Sequence, residues 1–207
     1  APATSQSSLP CENMKLILAS ASPRRAQLLA EAGYVFETVP ADVDESQVPA
    51  SPPSELAQRL AVAKAQAVAD RFPDDVVLAA DTIVCLGETV LGKPADADDA
   101  RRMLNLLSGT TQVVITGVCV IRKAINYQQT HKAMSAVRME VLTPEQIERY
   151  IASGEWQGKA GGYGIQDEDP LVKRISGSHS NVVGLPMELT RYMLATAGIS
   201  PGKAPSK

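Results

Sequence analysis

The run VVLAADTIVCL, residues 76–86, constrains this chain more than any other stretch. It is apolar and rich in β-branched side chains, and only Asp81 and Thr82 interrupt it. A strand without an obvious wet face belongs at the centre of a sheet. Helix-like and strand-like patterns alternate early in the chain, and hairpin-like strands occupy the middle. The fold class predicted is therefore α/β with a mixed sheet.

The flanking segments fill in that frame. Residues 15–19 predict a buried strand, and 26–32 a helix closed by Gly33. Ser22 and Pro23 are preferred helix-entry residues before it. Residues 34–46 read as a strand running into an acidic loop. SPPSELAQRLAVAKAQAVADRF is a long helix, with Leu56, Leu60, Ala63 and Ala67 at helical spacing. GETVLGKP reads as a turn and loop, and DADDARRMLNLLSG as an amphipathic helix ending at Gly109. Strands are predicted at 113–121 and 131–142. Thr143 and Gln146 open a capping-box helix that runs to Ala152 and stops at Gly154. A glycine-rich loop, GKAGGYGIQ, precedes a last strand-like segment, and PMELTRYMLATAG is the closing helix.

Composition narrows the function. The chain of 207 residues carries 20 Lys+Arg against 23 Asp+Glu, a net charge of −3, which excludes a general nucleic-acid surface. No apolar run reaches the ~20 residues of a membrane span. Residues 1–13 lack a basic start and an apolar stretch and are expected to be a flexible tail. Residues 14–199 are expected to form one domain, and 200–207 a second tail. Cys85 and Cys119 lie in apolar runs, far from each other and from Cys11. They read as small hydrophobes in a reducing, cytoplasmic compartment, with no zinc or disulfide framework.

Four places are odd for a purely structural chain. Arg24 and Arg25 open a helix, where the positive end of the dipole disfavours cations by about 0.3–1 kcal/mol each. With the uncapped amides of that helix and the Ser20 loop before it, they suit an anion such as phosphate. The plainer account is pairing with surface carboxylates. Asp81 interrupts an apolar strand, where a carboxylate must be hydrogen-bonded, paired or metal-bound. At a strand's C-terminal end it would face a ligand crevice and hold Mg²⁺ or take a proton from water. Backbone amides of a neighbouring loop are its other outlet. Lys64 projects among Leu60, Ala61, Ala67 and Val68, with snorkelling to solvent as its plain account. Lys93 sits in a loop. Gly87-x-x-x-x-Gly92-Lys93 approaches a P-loop, but Pro94 stands where the Mg²⁺-binding Ser/Thr belongs, which excludes that reading. GKAGGYGIQ brings flexible backbone to Gln166, whose amide can read a base edge. GSHSNVVGLP reads as another polar, backbone-rich rim.

Together these segments resemble the Maf family of nucleoside triphosphate pyrophosphatases. The resemblance rests on LASASPRR, DVDE, Lys64, AADTIV, LGKP, LLSGTT, SGEWQGKAGGYGIQ and GSHSNVVGLP, in order from about Lys15 to Met193. It implies an elongated mixed sheet in two lobes around a cleft, like the inosine triphosphate pyrophosphatases. It also implies metal-dependent hydrolysis of a nucleoside triphosphate between the α- and β-phosphates, with Mg²⁺, or Mn²⁺ in its place, as cofactor. By position, Asp81 matches the proton acceptor, and Arg24, Thr82 and Gln166 match positions tied to base selectivity. Arg25, Glu45, Lys64 and Lys93 match other charged active-site positions, Ser20 lies on the substrate loop, and Glu45 with Asp81 would hold the metal. SASPRR, ADT and AGGYGIQ are similar to the subfamily preferring dTTP and UTP over 7-methyl-GTP. The partners so implied are the nucleotide and a second copy of the chain, with neither a nucleic-acid polymer nor a membrane. A non-catalytic nucleotide-binding regulator of cell division and septum formation is the alternative. Two departures stand out: Gln112 where many relatives have histidine, which marks the position as inessential, and DEDPLV after Gln166 in place of a glycine-rich run.

Overall fold

The computed structural model describes residues 14–166 and 171–202. The run at 76–86 forms β3, Val76–Leu86, at the bounds its pattern suggests. Before it come β1 (Leu16–Leu18), α1 (Pro23–Glu31), β2 (Glu37–Thr38) and α2 (Pro53–Ala69). After it come β4 (Thr89–Leu91), α3 (Ala97–Leu107), β5 (Thr111–Arg122) and β6 (Tyr127–Met139). The described chain closes with α4 (Pro144–Ser153), β7 (Val172–Ser176), α5 (His179–Val183) and α6 (Met187–Thr196). The seven strands make one mixed sheet in the order β2-β1-β3-β5-β6-β7, with β4 also on β3.

Local chemistry explains the ends of these elements. The Thr143 capping box forms: the Gln146 amide N–H donates to Thr143 Oγ1, and Thr143 N–H donates to Gln146 Oε1. GETVLGKP is not merely a turn and loop. Gly87 takes φ +59°, so Leu86 pairs with Thr89 across a two-residue turn, and β4 forms antiparallel to β3. Residues 34–46 give only the two residues of β2 as strand, because the rest follows the rim into the acidic loop. The C-terminal stretch is held as far as Gly202, whose N–H donates to Gly33 O at 2.8 Å. Residues 1–13, the DEDP segment and 203–207 lie outside the described residues, so the expected N-terminal tail and the loop departure do too.

The placement of β3's neighbours creates the cleft. β5 covers one edge of β3 from Val77 to Cys85. On the opposite edge β1 pairs only with Val76–Leu78, in parallel, and β4 only with 84–86, antiparallel. Residues 79–83 are thus left without a strand on that side. Because β1 and β4 run in opposite senses, both point their C-terminal ends into this gap. The loops that follow them, carrying Ser20–Arg25 and Lys93, converge there.

The core divides at the same latitude. Leu16, Leu18, Leu78, Val118 and Val120 pack with α1 and α6, while Val84, Val114, Val137 and Met139 pack with α3 and α4. On the other face α2 spans both halves, through Ala61, Ala65 and Val68 against one and Ala57 against Ile83 and Ile115 of the other. Between the two apolar groups lies the row Asp81, Thr82, Thr116 and Gly117. The result is two lobes sharing one sheet, with a polar belt across its middle. Among the described residues no helix is long and apolar enough to cross a membrane.

Candidate active site

Asp81 is the sixth residue of β3, in mid-strand rather than at the C-terminal end that the crevice argument required. It reaches a cleft because β3 lacks a partner at that point. Successive side chains on a strand point to opposite faces. The open edge lets Asp81, on the α2 face, and Thr82, on the other, line one cavity. That cavity, of about 480 Å³, also gathers Ser20, Arg24, Arg25, Glu45, Lys64, Lys93 and Gln166. All nine residues singled out in the sequence meet there.

Lys64 does not snorkel away. Its ammonium donates to Asp81 Oδ1 at 2.5 Å and pairs with Glu45 Oε1 at 2.8 Å. Helix α2 delivers it from the apolar face of the sheet, and its side chain is 14% exposed. Glu45 comes from the acidic loop, in a short 3₁₀ turn whose first residues are fixed by Asp44 accepting from Ser46. The hydrogen bond from Lys64 holds the Glu45 carboxyl below the usual glutamate range, against partial burial. The charges of Lys93 and Arg25 act in the same direction.

Arg25 is gripped rather than loose. Its Nε donates to Gly184 O at 2.7 Å, Nη1 to Ser20 Oγ at 3.2 Å and Nη2 to Thr82 Oγ1 at 3.1 Å. Withdrawal from water draws its guanidinium below the ordinary arginine value, and the nearby Asp81 charge opposes this. With three of its five N–H groups engaged among the described residues, two remain for a ligand. Arg24 reaches across the cleft to Gly158 O at 3.3 Å. Ser22 occupies the N-cap of α1 without a side-chain cap bond, and no acidic residue lies in the first turn. The amides that begin α1 therefore keep their affinity for an anion. Lys93 is exposed on the rim and has no ion pair among the described residues.

The glycine-rich segment forms the far wall, with Gln166 exposed at its end. Gln112, where the departure from the family falls, is fully buried and donates to Tyr163 Oη at 3.1 Å. Burial pushes the Tyr163 phenol up to about 12. Gln112 thus holds the wall in place. GSHSNVVGLP lines the cleft through Val182, Val183 and Gly184, and it does so as the short helix α5, with Asn181 wholly buried behind it. Sequence reasoning flagged the segment that holds Asn181 and Gly184 but named neither residue, and it missed Thr116, whose one signal was a threonine inside the apolar run of β5.

As chemistry, the cleft offers five cationic residues (Arg24, Arg25, Lys64, Lys93 and Lys159), a helix start, and the two carboxylates of Glu45 and Asp81 that Lys64 bridges. Among the described residues no three His, Cys, Asp or Glu side chains gather as a metal cage. Glu45 and Asp81 are a hard-oxygen pair, and Asp81 Oδ2 takes no protein partner among the described residues. That set fits Mg²⁺, which is commonly bound through one or two carboxylates together with substrate phosphates.

The chain is 48% identical to a dTTP/UTP pyrophosphatase of Anaeromyxobacter dehalogenans, over 89% of this chain and 94% of that one. It is 47% identical to proteins of the same name from Sphingopyxis alaskensis, over 90% and 98%, and from Moorella thermoacetica, over 89% and 96%. In three dimensions it is similar to the Staphylococcus aureus Ham1 protein, with 14% identity and a TM-score of 0.45 over 60% of this chain and 71% of that one. The sequence model of the Maf-like proteins matches residues 15–197, and the chain belongs to that family.

Proposed function

We propose that this protein is a nucleoside triphosphate pyrophosphatase, hydrolysing dTTP and UTP between the α- and β-phosphates to the monophosphate and pyrophosphate. The relatives named above support the activity and the pyrimidine preference. The observation that carries the reading is the Lys64 ammonium set between Asp81 and Glu45, in the one gap where the arginines of α1 also converge.

In this reading Lys64 orients Asp81 through Oδ1 and leaves Oδ2 to the cleft. There Oδ2 accepts a proton from the attacking water as its oxygen bonds to phosphorus and the bridging P–O bond breaks. Negative charge grows on the departing pyrophosphate. Arg24, Arg25, Lys93 and the α1 amides lie where they can neutralise it, and such pre-set donors supply much of the rate in phosphoryl-transfer sites. Mg²⁺, or Mn²⁺ in its place, would be held by Glu45, Asp81 and the substrate phosphates and would add further charge neutralisation. Gln166, Arg24 and Thr82, which line the same cavity, are assigned to the base. The two buried, unpaired thiols of Cys85 and Cys119 support a reducing cytoplasmic setting.

The test is pyrophosphate release from a panel of purine and pyrimidine triphosphates at saturating Mg²⁺. UTP and dTTP are expected to lead the panel. Asp81→Asn is expected to keep the wild-type circular dichroism spectrum and to lower kcat about 10²–10⁴-fold, the usual range for a positioned base. A wild-type protein that releases no pyrophosphate, or an Asp81→Asn variant with full turnover, overturns the reading.

A further inference from the structure

Beneath the cleft runs a chain of hydrogen bonds that the proposed chemistry does not use directly. It begins at Arg25 Nη2, which donates to Thr82 Oγ1. Thr82 Oγ1 lies 2.9 Å from Thr116 Oγ1, and Thr116 Oγ1 donates to Asn181 O at 3.2 Å. A hydroxyl has a single proton. Either hydroxyl can donate across the contact between the two threonines. Thr116 has Asn181 O as its outward acceptor, and Thr82 has Gly184 O, more distant at 3.4 Å. With either polarity the bonds run unbroken from Arg25 through Thr82 and Thr116 to the main chain of α5.

The far end is anchored firmly. Asn181 Nδ2 donates to Val114 O at 3.2 Å and to Ser135 Oγ at 3.0 Å, tying α5 to β5 and β6. Ser135 Oγ in turn donates to Ser178 O at 3.0 Å. Thr116 and Asn181 are both fully buried, so no water competes for these bonds. The same α5 turn presents Gly184 O to Arg25 Nε. Arg25 is thus held by Gly184 O, which α5 carries, and by the Thr82 hydroxyl, which is linked to α5 through Thr116.

We infer that Thr116 and Asn181 are positioning residues: through Thr82 and the α5 turn they fix the orientation of the Arg25 guanidinium toward the phosphates. The inference rests on the pyrophosphatase reading for its substrate, but the geometry of the network stands apart from it. It also gives Thr82 a physical task, as the link between Arg25 and α5.

The test compares Thr116→Val, which keeps the shape and removes the hydroxyl, with Thr116→Ser, which restores it. Each is made in the wild type and in an Arg25→Lys background. Two quantities are read: kcat/KM for UTP, and the Kd for inorganic pyrophosphate by calorimetry. Thr116→Val is expected to weaken both about tenfold, the scale of leaving one buried hydrogen-bonding group without its partner. Thr116→Ser is expected to regain the loss, and Thr116→Val to add nothing once Arg25 is lysine, since residues acting in one network are not additive. A Thr116→Val protein equal to wild type, a serine variant as impaired as the valine one, or losses that multiply with Arg25→Lys would each overturn it. Should the wild type release no pyrophosphate, the functional reading falls, and the pyrophosphate Kd values alone decide the positioning role.

Discussion

At the scale of single residues, the cleft is governed by where its charges find partners. Lys64 serves two carboxylates at once, and Glu45 feels this as a lowered pKa, chiefly through the hydrogen bond it accepts. The sign follows directly. A carboxyl whose folded pKa lies below its unfolded value contributes stability that is present above the unfolded value, near 4.5, and is lost as pH falls through the folded one. Lys64→Met keeps the aliphatic stem and removes the charge. It is expected to move the Glu45 titration, followed by carboxyl-carbon NMR, upward toward the ordinary glutamate value. A Glu45 titration that stays in place in that variant would mean that the ion pair does not govern this carboxylate. Residue identity alone flagged Asp81, Arg24 and Arg25 as misfits. It did not show that Lys64 was the answer to Asp81, because the pairing joins positions 17 residues apart on different elements.

At the scale of elements, α2 is the member whose placement matters most. Gly117 faces Asp81 directly across the β3–β5 ladder. A Cβ built on it would stand 2.3 Å from Ala57 O, so the absence of a side chain lets the backbone of α2 lie against the sheet. Lys64 follows Ala57 by about two helical turns and inherits that height. Gly117→Ala is expected to lift α2, to cost about 1–3 kcal/mol in denaturant unfolding as overpacking does, and to lower pyrophosphate release by stretching the Lys64–Asp81 contact. An alanine variant with the wild-type unfolding midpoint would show that the helix does not depend on this close approach. Element boundaries were legible where local chemistry sets them: the Thr143 capping box and the apolar run of β3 both stand where the sequence places them. β4 was not legible, since a three-residue strand carries too little pattern to be distinguished from a loop.

At the scale of the whole molecule, one sheet carries two apolar cores separated by a polar belt. β3 and β5 pass through both, paired without a break from Val77 to Cys85, and α2 crosses the belt on the other face. Such continuity couples the lobes mechanically, so they are expected to unfold together. Trp156, the one tryptophan of the chain, packs against the core of the second lobe, whereas far-ultraviolet circular dichroism reports on the entire backbone. The two signals should trace a single coincident transition in urea. A Trp156 transition displaced from the backbone one would show that the belt divides the protein into separate folding units.

The sequence by itself determined the α/β class, the central strand, most helix limits and the charged residues that meet in the cleft. Each of these follows from short-range chemistry: side-chain periodicity, capping, and the cost of placing a charge in an apolar run or at the wrong end of a helix. Only the tertiary structure decided that Asp81 opens to a cleft from mid-strand, that Lys64 bridges it to Glu45, and that Arg25 hangs from Thr82 and the α5 turn. The reason is a matter of edges. Whether a strand residue is sealed or open depends on where neighbouring strands stop, and β1 and β4 stop on either side of Asp81 through pairings that no local pattern records.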